Sequence, residues 1–134
     1  MKSDDAGKLL LRITVGGLML FHGVSKLVQG VEGVKGLLGA NGLPGFLAYG
    51  LYAAEIIAPA LIILGWWTRI AALVVAFDML MAILLVFKQQ LFTIKEMGGG
   101  WTIELEAFFL LSSLVLFFTG GGKYSISKKQ SAWD

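Results

Sequence analysis

Residues 45–87 read GFLAYGLYAAEIIAPALIILGWWTRIAALVVAFDMLMAILLVF. Two apolar runs stand here, Phe46–Leu64 and Ile70–Phe87, with 19 and 18 residues. Each matches the length of helix that crosses a hydrocarbon core. Gly65-Trp66-Trp67-Thr68-Arg69 between them is short enough only for a tight helical hairpin. Indole rings favour the headgroup zone, and a basic residue just past the apolar core marks the cytoplasmic side. The stretch therefore predicts a membrane hairpin with its turn at an interface. One carboxylate lies near the middle of each arm, Glu55 and Asp78. A carboxylate at that depth costs about 2.5–3.5 kcal/mol on insertion scales, so each requires a partner or a function.

Outward from the hairpin, Leu9–Leu27 gives another 19-residue run, interrupted by Arg12, His22 and Lys26. At 100° per residue His22 and Lys26 share a face, and Arg12 falls about 40° from Lys26. One arc of this helix is basic and the remainder is free for lipid. Asp4 and Asp5 occupy the place of a basic signal-peptide region, and no small-x-small site follows, so the run reads as a retained span. Leu27, Val31, Val34, Leu37 and Leu38 keep a helical period through a glycine-rich segment. They predict a short interfacial helix between the first two spans. Asn41-Gly42-Leu43-Pro44 is a turn into the second span. The last span, Ile103–Phe118, has 16 residues and carries Glu104 and Glu106 near its start. Glu106 aligns with Ser113 at seven-residue spacing and is expected to face inward. The predicted fold is thus all-α, a single-domain integral membrane four-helix bundle over residues 1–134.

Composition agrees with this class. Among 134 residues, 57% are hydrophobic and 15% charged, and mean hydropathy is +0.78. Such a chain is not a soluble globule of this size. The net charge is +2, and no basic tract with interleaved aromatics points to nucleic acid. The sequence has no cysteine and one histidine, which leaves no side-chain set for a disulfide, an iron–sulfur centre or a conventional zinc site. No intrinsic cofactor is expected.

Four spans place both termini on one side with Lys2, Lys8, Arg69, Lys123, Lys128 and Lys129. Lys26, Lys35, Lys88 and Lys95 fall on the other side, so the six-to-four bias favours cytoplasmic termini. On that topology His22 lies about 7 Å and Glu55 about 13 Å from the outer surface, at roughly 1.5 Å per residue. His22, Lys26, Glu55 and Glu106, joined by Asp78, are expected to line a cavity opening outward. His22 and Glu55 are the candidates for proton chemistry; Lys26, Glu106 and Asp78 are candidate ligand contacts. Arg12 is the candidate for structural ion pairing, with Asp78 within reach only by extending upward. The alternative for all these groups is pairing that fixes helix order. Pro59 lacks an amide hydrogen, so the Glu55 carbonyl four residues earlier loses its helical partner. A kink there would expose a main-chain acceptor beside a carboxylate.

In this order the residues resemble the DoxX family of small four-helix membrane proteins. The matching pieces are Arg12 with Phe21-His22-Gly23-x-x-Lys26, then Gly42-Leu43-Pro44. Glu55 with Leu64-Gly65-x-x-Thr68-Arg69 follows, then Glu106 and Gly120-x-Gly122-x-x-Ser125. Ser125-Ile126-Ser127 departs from the pattern, lacking the acidic residue that often follows the serine. The resemblance implies an inner-membrane protein of a bacterial or archaeal cell, linked to redox chemistry. Members are described as subunits of a terminal quinol oxidase or a thiosulfate:quinone oxidoreductase, or as partners of oxidative-stress enzymes. It implies a quinone as the ligand, the lipid bilayer as the environment, and a soluble or membrane redox protein or a second copy as partner. A carrier or channel for a small solute or ion, gated at Pro59, and a non-catalytic scaffold for a soluble redox enzyme are the rival functions.

Overall fold

The computed structural model describes residues 3–30, 32–85, 94, 100, 102–122, 124 and 125. The expected end of the third span at Val86-Phe87, most of the expected loop over 88–100, and the tail beyond Ser125 lie outside the described residues. So do Lys2, Lys88, Lys95, Lys123, Lys128 and Lys129, six of the charges in the topology count.

Every regular element among the described residues is helical. Helix α1 runs Ser3–Gln29, beginning six residues ahead of the expected Leu9. Asp4 and Asp5 occupy its first turn and Lys26 its last, which places opposite charges against each end of the helix dipole. The expected interfacial helix is α2, Glu32–Ala40. Helix α3 spans Gly45–Leu64, α4 spans Thr68–Leu85, and α5 spans Glu104–Thr119. By length and composition α1, α3 and α4 can each cross a bilayer; α5, with 16 residues, is shorter and packs along α4.

The hairpin turn is built as expected. The Gly65 amide donates to the Ile62 carbonyl and the Trp66 amide to that of Leu61, the two bonds of a Schellman motif. Gly65 has φ 76°, the left-handed conformation that this motif requires. Trp66 and Trp67 are half exposed beside it, as interfacial indoles are.

Helix α3 is not a regular rod. It begins as a 3₁₀ turn over Gly45–Tyr49 behind Pro44, and becomes a π turn over Ala53–Ile57. The Ala58 amide donates to Ala53, a step of five residues, immediately before Pro59. Proline cannot donate, and widening the preceding turn spreads the register change over several residues. The Glu55 carbonyl expected to stand open is instead covered. It lies against Gly23 of α1, so closely that a Cβ at Gly23 would overlap it. Gly16, one heptad earlier, lies against the Pro59 carbonyl and Ile63 in the same way. Small residues at these two positions let the backbones of α1 and α3 meet.

The bundle is apolar outside and partly polar within. Phe21, Val28, Phe77, Phe108 and Phe118 are exposed, whereas Arg12, Glu55, Thr68, Asp78 and Ser113 are buried. Val15, Met19, Ile62, Val75, Met79, Phe109 and Leu116 form the core between them. That inversion of the aqueous pattern suits a helical bundle surrounded by lipid.

Candidate functional site

Helices α3 and α4 pack together over the part nearest their turn, Ala58–Leu64 on the α3 side. Towards Gly45 they diverge, because the irregular first half of α3 follows α2 instead. Leu38 of α2 packs on Ala48 of α3, with Leu43, Tyr52 and Leu85 around them. Lys35 Nζ donates to the Tyr49 hydroxyl at 2.6 Å and lies 4.6 Å from the centre of its ring. Glu32, also on α2, is 3.5 Å from the same ammonium.

The wedge left between α3 and α4 is a cavity of about 440 Å³. Leu37, Leu38 and Leu43 close it from the α2 side, and Val74, Phe77 and Met81 wall it along α4. Its polar lining is Lys26, Glu55 and Asp78. Lys26 Nζ and Glu55 Oε2 form a salt bridge at 2.6 Å, with the Glu55 side chain 2% exposed and that of Lys26 34%. Glu55 is held by the π turn, which places it facing Lys26 one turn beyond Gly23. Asp78 is also buried, within electrostatic reach of both, and its Oδ2 has no hydrogen-bond partner among the described residues. Two carboxyl groups thus share one ammonium. A proton or a cation must complete the balance, since two anions this deep repel one another and neither has bulk water.

The cavity collects three of the expected residues and omits two. His22 is exposed, and its ring meets the edge of Phe109 on α5 at 5.8 Å. It shares a broad arc with Lys26, but that arc spans two neighbours, α5 for His22 and α3 for Lys26. Glu106 is half-buried on the same stripe of α5 as Phe109 and Ser113, while Glu104 is exposed, yet neither lines the cavity. The hydrophobic lining was not anticipated from the sequence. Gly42-Leu43-Pro44 was its one visible signal, as the turn that carries Leu43 to the cavity.

Arg12 is far from this group and is not the ion-pairing residue expected. Its Nε donates to the Ile62 carbonyl at 3.0 Å and Nη2 to that of Ile63 at 2.7 Å. Nη1 donates to Gly121 at 3.1 Å and Tyr124 at 2.7 Å. Two of these carbonyls belong to the last turn of α3, where the helix supplies too few amides and the dipole favours a cation. The planar five-donor fork suits such a set of acceptors. Arg12 therefore fastens α1 to the end of α3 and to the segment after α5. A side chain at Gly65 would meet the guanidinium at 2.6 Å, and one at Gly121 would meet Thr68 Oγ1 at 2.7 Å.

Fold and site define a multi-pass membrane bundle with a charged group buried at one end of an apolar cavity. The chain belongs to the DoxX family, whose pattern matches residues 7–88. It is similar to a Bacillus subtilis (strain 168) protein named "Putative oxidoreductase CatD", 38% identical over 119 residues, covering 89% of this chain and 83% of that one. No solved structure matches it.

Proposed function

We propose that the protein is the membrane subunit of a quinone-linked oxidoreductase, and that the cavity receives a quinone headgroup. The observation that carries this reading is the Lys26–Glu55–Asp78 group in a cavity whose other walls are apolar. A volume of about 440 Å³ falls within the range of small-molecule sites. The side chains suit the group. A quinone carbonyl needs a donor, and Lys26 keeps two ammonium protons beyond the one given to Glu55. The reduced ring carries hydroxyl groups, and the unpartnered Asp78 Oδ2 accepts from one. When bound, the quinone supplies the redox chemistry, taking up two electrons and two protons in full reduction.

In this reading Lys26 orients a carbonyl oxygen, and Glu55 holds the ammonium in place. Asp78 carries the exchangeable proton at Oδ2, the position nearest to needing one. The leucines of α2 help to keep water from the buried carboxyl groups of Glu55 and Asp78, which strengthens their electrostatic contacts. In this reading the electrons come from a partner protein. The name of the Bacillus relative supports the oxidoreductase link, and the charge bias supports cytoplasmic termini in an inner membrane. Native mass spectrometry of the detergent-purified protein tests the reading. A co-purifying quinone is expected, and Asp78→Leu should lose it while Phe108→Leu on the lipid face retains it. Wild-type protein that carries no quinone and binds none of an added decyl-tailed benzoquinone would overturn the proposal.

A further inference from the structure

We infer that the cavity is open sideways to the bilayer, through a portal between α3 and α4 framed by Gly50, Leu47, Phe77 and Val74. The molecule it admits is a membrane-dissolved amphiphile, a polar head on an apolar tail, which enters from the lipid and leaves its tail there. The inference deepens the quinone reading and adds to it the route and the class of ligand.

Three observations converge on this opening. The cavity lining includes residues that are themselves on the outer surface of the bundle. Phe77 is 64% exposed, Leu47 44% and Val74 37%, and Gly50 is exposed too. A wall shared between the cavity and the lipid-facing surface is an edge of an opening. The second observation is the closure elsewhere. Leu37, Leu38 and Leu43 cover the cavity from α2, and that helix is tied down by Lys35 on Tyr49 and by Leu38 on Ala48. The α2 side of the cavity is therefore the covered one.

The third observation is Gly50 itself. Its φ of −63° and ψ of −23° are ordinary helical angles, so the backbone does not require glycine. Among the described residues no heavy atom lies within 4 Å of an added Cβ, so packing against them does not require it either. Glycine inside a helix costs about 0.5–1 kcal/mol relative to alanine. At Gly16 and Gly23 the close approach of α3 gives the reason for glycine; at Gly50 what the missing side chain leaves is open space. Gly50 lines the cavity and is itself exposed, so that space lies at the cavity's edge. Burial orders the rest: Glu55 and Asp78 are buried, and the apolar Leu47, Val74 and Phe77 are exposed, which matches head and tail in sequence.

Photolabelling tests the inference on the full chain reconstituted in phosphatidylcholine liposomes. The probe is a phosphatidylcholine with a diazirine in one acyl chain, and the labelled residues are mapped by mass spectrometry. Lipid-facing Phe108 and Phe118 serve as positive controls. Label on the cavity residues Ala54 and Ala82 is expected in the wild type. Gly50→Phe, which enters free space, should cut that label at least tenfold and leave Phe108 labelling unchanged. Gly50→Ala should fall between. Outer residues labelled with Ala54 and Ala82 bare in the wild type would overturn the portal, as would full cavity labelling in Gly50→Phe. Decyl-tailed benzoquinone is then added as competitor. If it protects Ala54 and Ala82, both readings stand. If the cavity is labelled by lipid and the quinone gives no protection, the portal stands and the quinone reading falls.

Discussion

Neutralising one or the other of the two buried acids should have opposite effects on stability, and this separates the ligand contact from the scaffold. Glu55→Gln keeps the size of the side chain and removes its charge, breaking the 2.6 Å pair with Lys26. Removing one partner of a fully buried pair costs about 3–5 kcal/mol, because the remaining charge is stranded. Lys26 is a third exposed, so its ammonium can turn towards water along a flexible stem. An exposed pair is worth about 0–1 kcal/mol. Between these limits the expected loss is about 1–2 kcal/mol. Asp78→Asn leaves the Lys26–Glu55 pair intact and removes the second acid from a site with one cation. It should leave stability unchanged or raise it by up to about 1 kcal/mol, since Asp78 faces Glu55 beside a single ammonium and two acids buried together repel one another. Unfolding of both variants in mixed micelles of dodecylmaltoside and increasing SDS measures the two differences on one scale. Both variants should also retain less ligand by native mass spectrometry. If Asp78→Asn destabilises the protein by more than Glu55→Gln does, Asp78 is a structural partner and the charge balance argued for the cavity is wrong.

Arg12→Met should be the more damaging change to the fold. It removes four bonds from a charged donor and takes the guanidinium from the Ile63 carbonyl at the end of α3, for a loss of about 3–5 kcal/mol in the same unfolding assay. Arg12→Lys should recover only part of this, since an ammonium cannot span the same fork. Gly23→Ala should destabilise by about 1–3 kcal/mol through overlap with the Glu55 carbonyl, whereas Gly17→Ala, which meets nothing within 4 Å, should be neutral or stabilising. Lys35 is held above its usual 10.5, first by donating to Tyr49 and further by Glu32. The contribution of this contact is complete below pH 10.5 and lost as pH rises through the higher folded value, so the protection of α2 amides relative to the intrinsic base-catalysed rate should fall only above that point, and in Tyr49→Phe this alkaline step should shrink.

Much of the bundle was legible because apolar length is a strong signal and because backbone groups in lipid must bond within their own helix. The hairpin could be read from Phe46–Phe87, and α2 from the spacing of Leu37 and Leu38. The partners of the polar residues were less accessible. A helical wheel places His22 and Lys26 on one arc, but it does not say that two helices share that arc. Arg12 was read as seeking a carboxylate because carboxylates are visible in a sequence; the carbonyls that actually receive it belong to every residue and stand out only where a helix ends. Pro59 signalled a disturbance in α3, yet the π turn ahead of it and the glycine covering the Glu55 carbonyl depend on how α1 approaches. The apolar walls of the cavity have almost no local signal beyond Gly42-Leu43-Pro44, for they are set by the divergence of two helices.

That divergence links the two ends of the molecule. Arg12, Gly65, Thr68, Gly121, Gly122 and Ser125 meet at the hairpin end; there a side chain on Gly65 would overlap that of Ser125, and one on Gly122 would lie 3.0 Å from Lys8. Gly23, Lys26, Leu43 and Glu55 meet at the other end. A signature spread along the whole chain therefore resolves into one fastening and one site. The fastening holds α3 and α4 at their turn, through the arginine on the last carbonyls of α3 and through close packing at Thr68. The register change at Ala53–Ile57 falls where α3 passes from packing on α4 to packing on α2. The space where Glu55 and Asp78 lie opens there, and Lys26 reaches it from α1 because Gly23 has let that helix come close. Loosening the Arg12 end should consequently disturb the cavity at a distance, since the wedge has no shape of its own apart from the angle between the two helices.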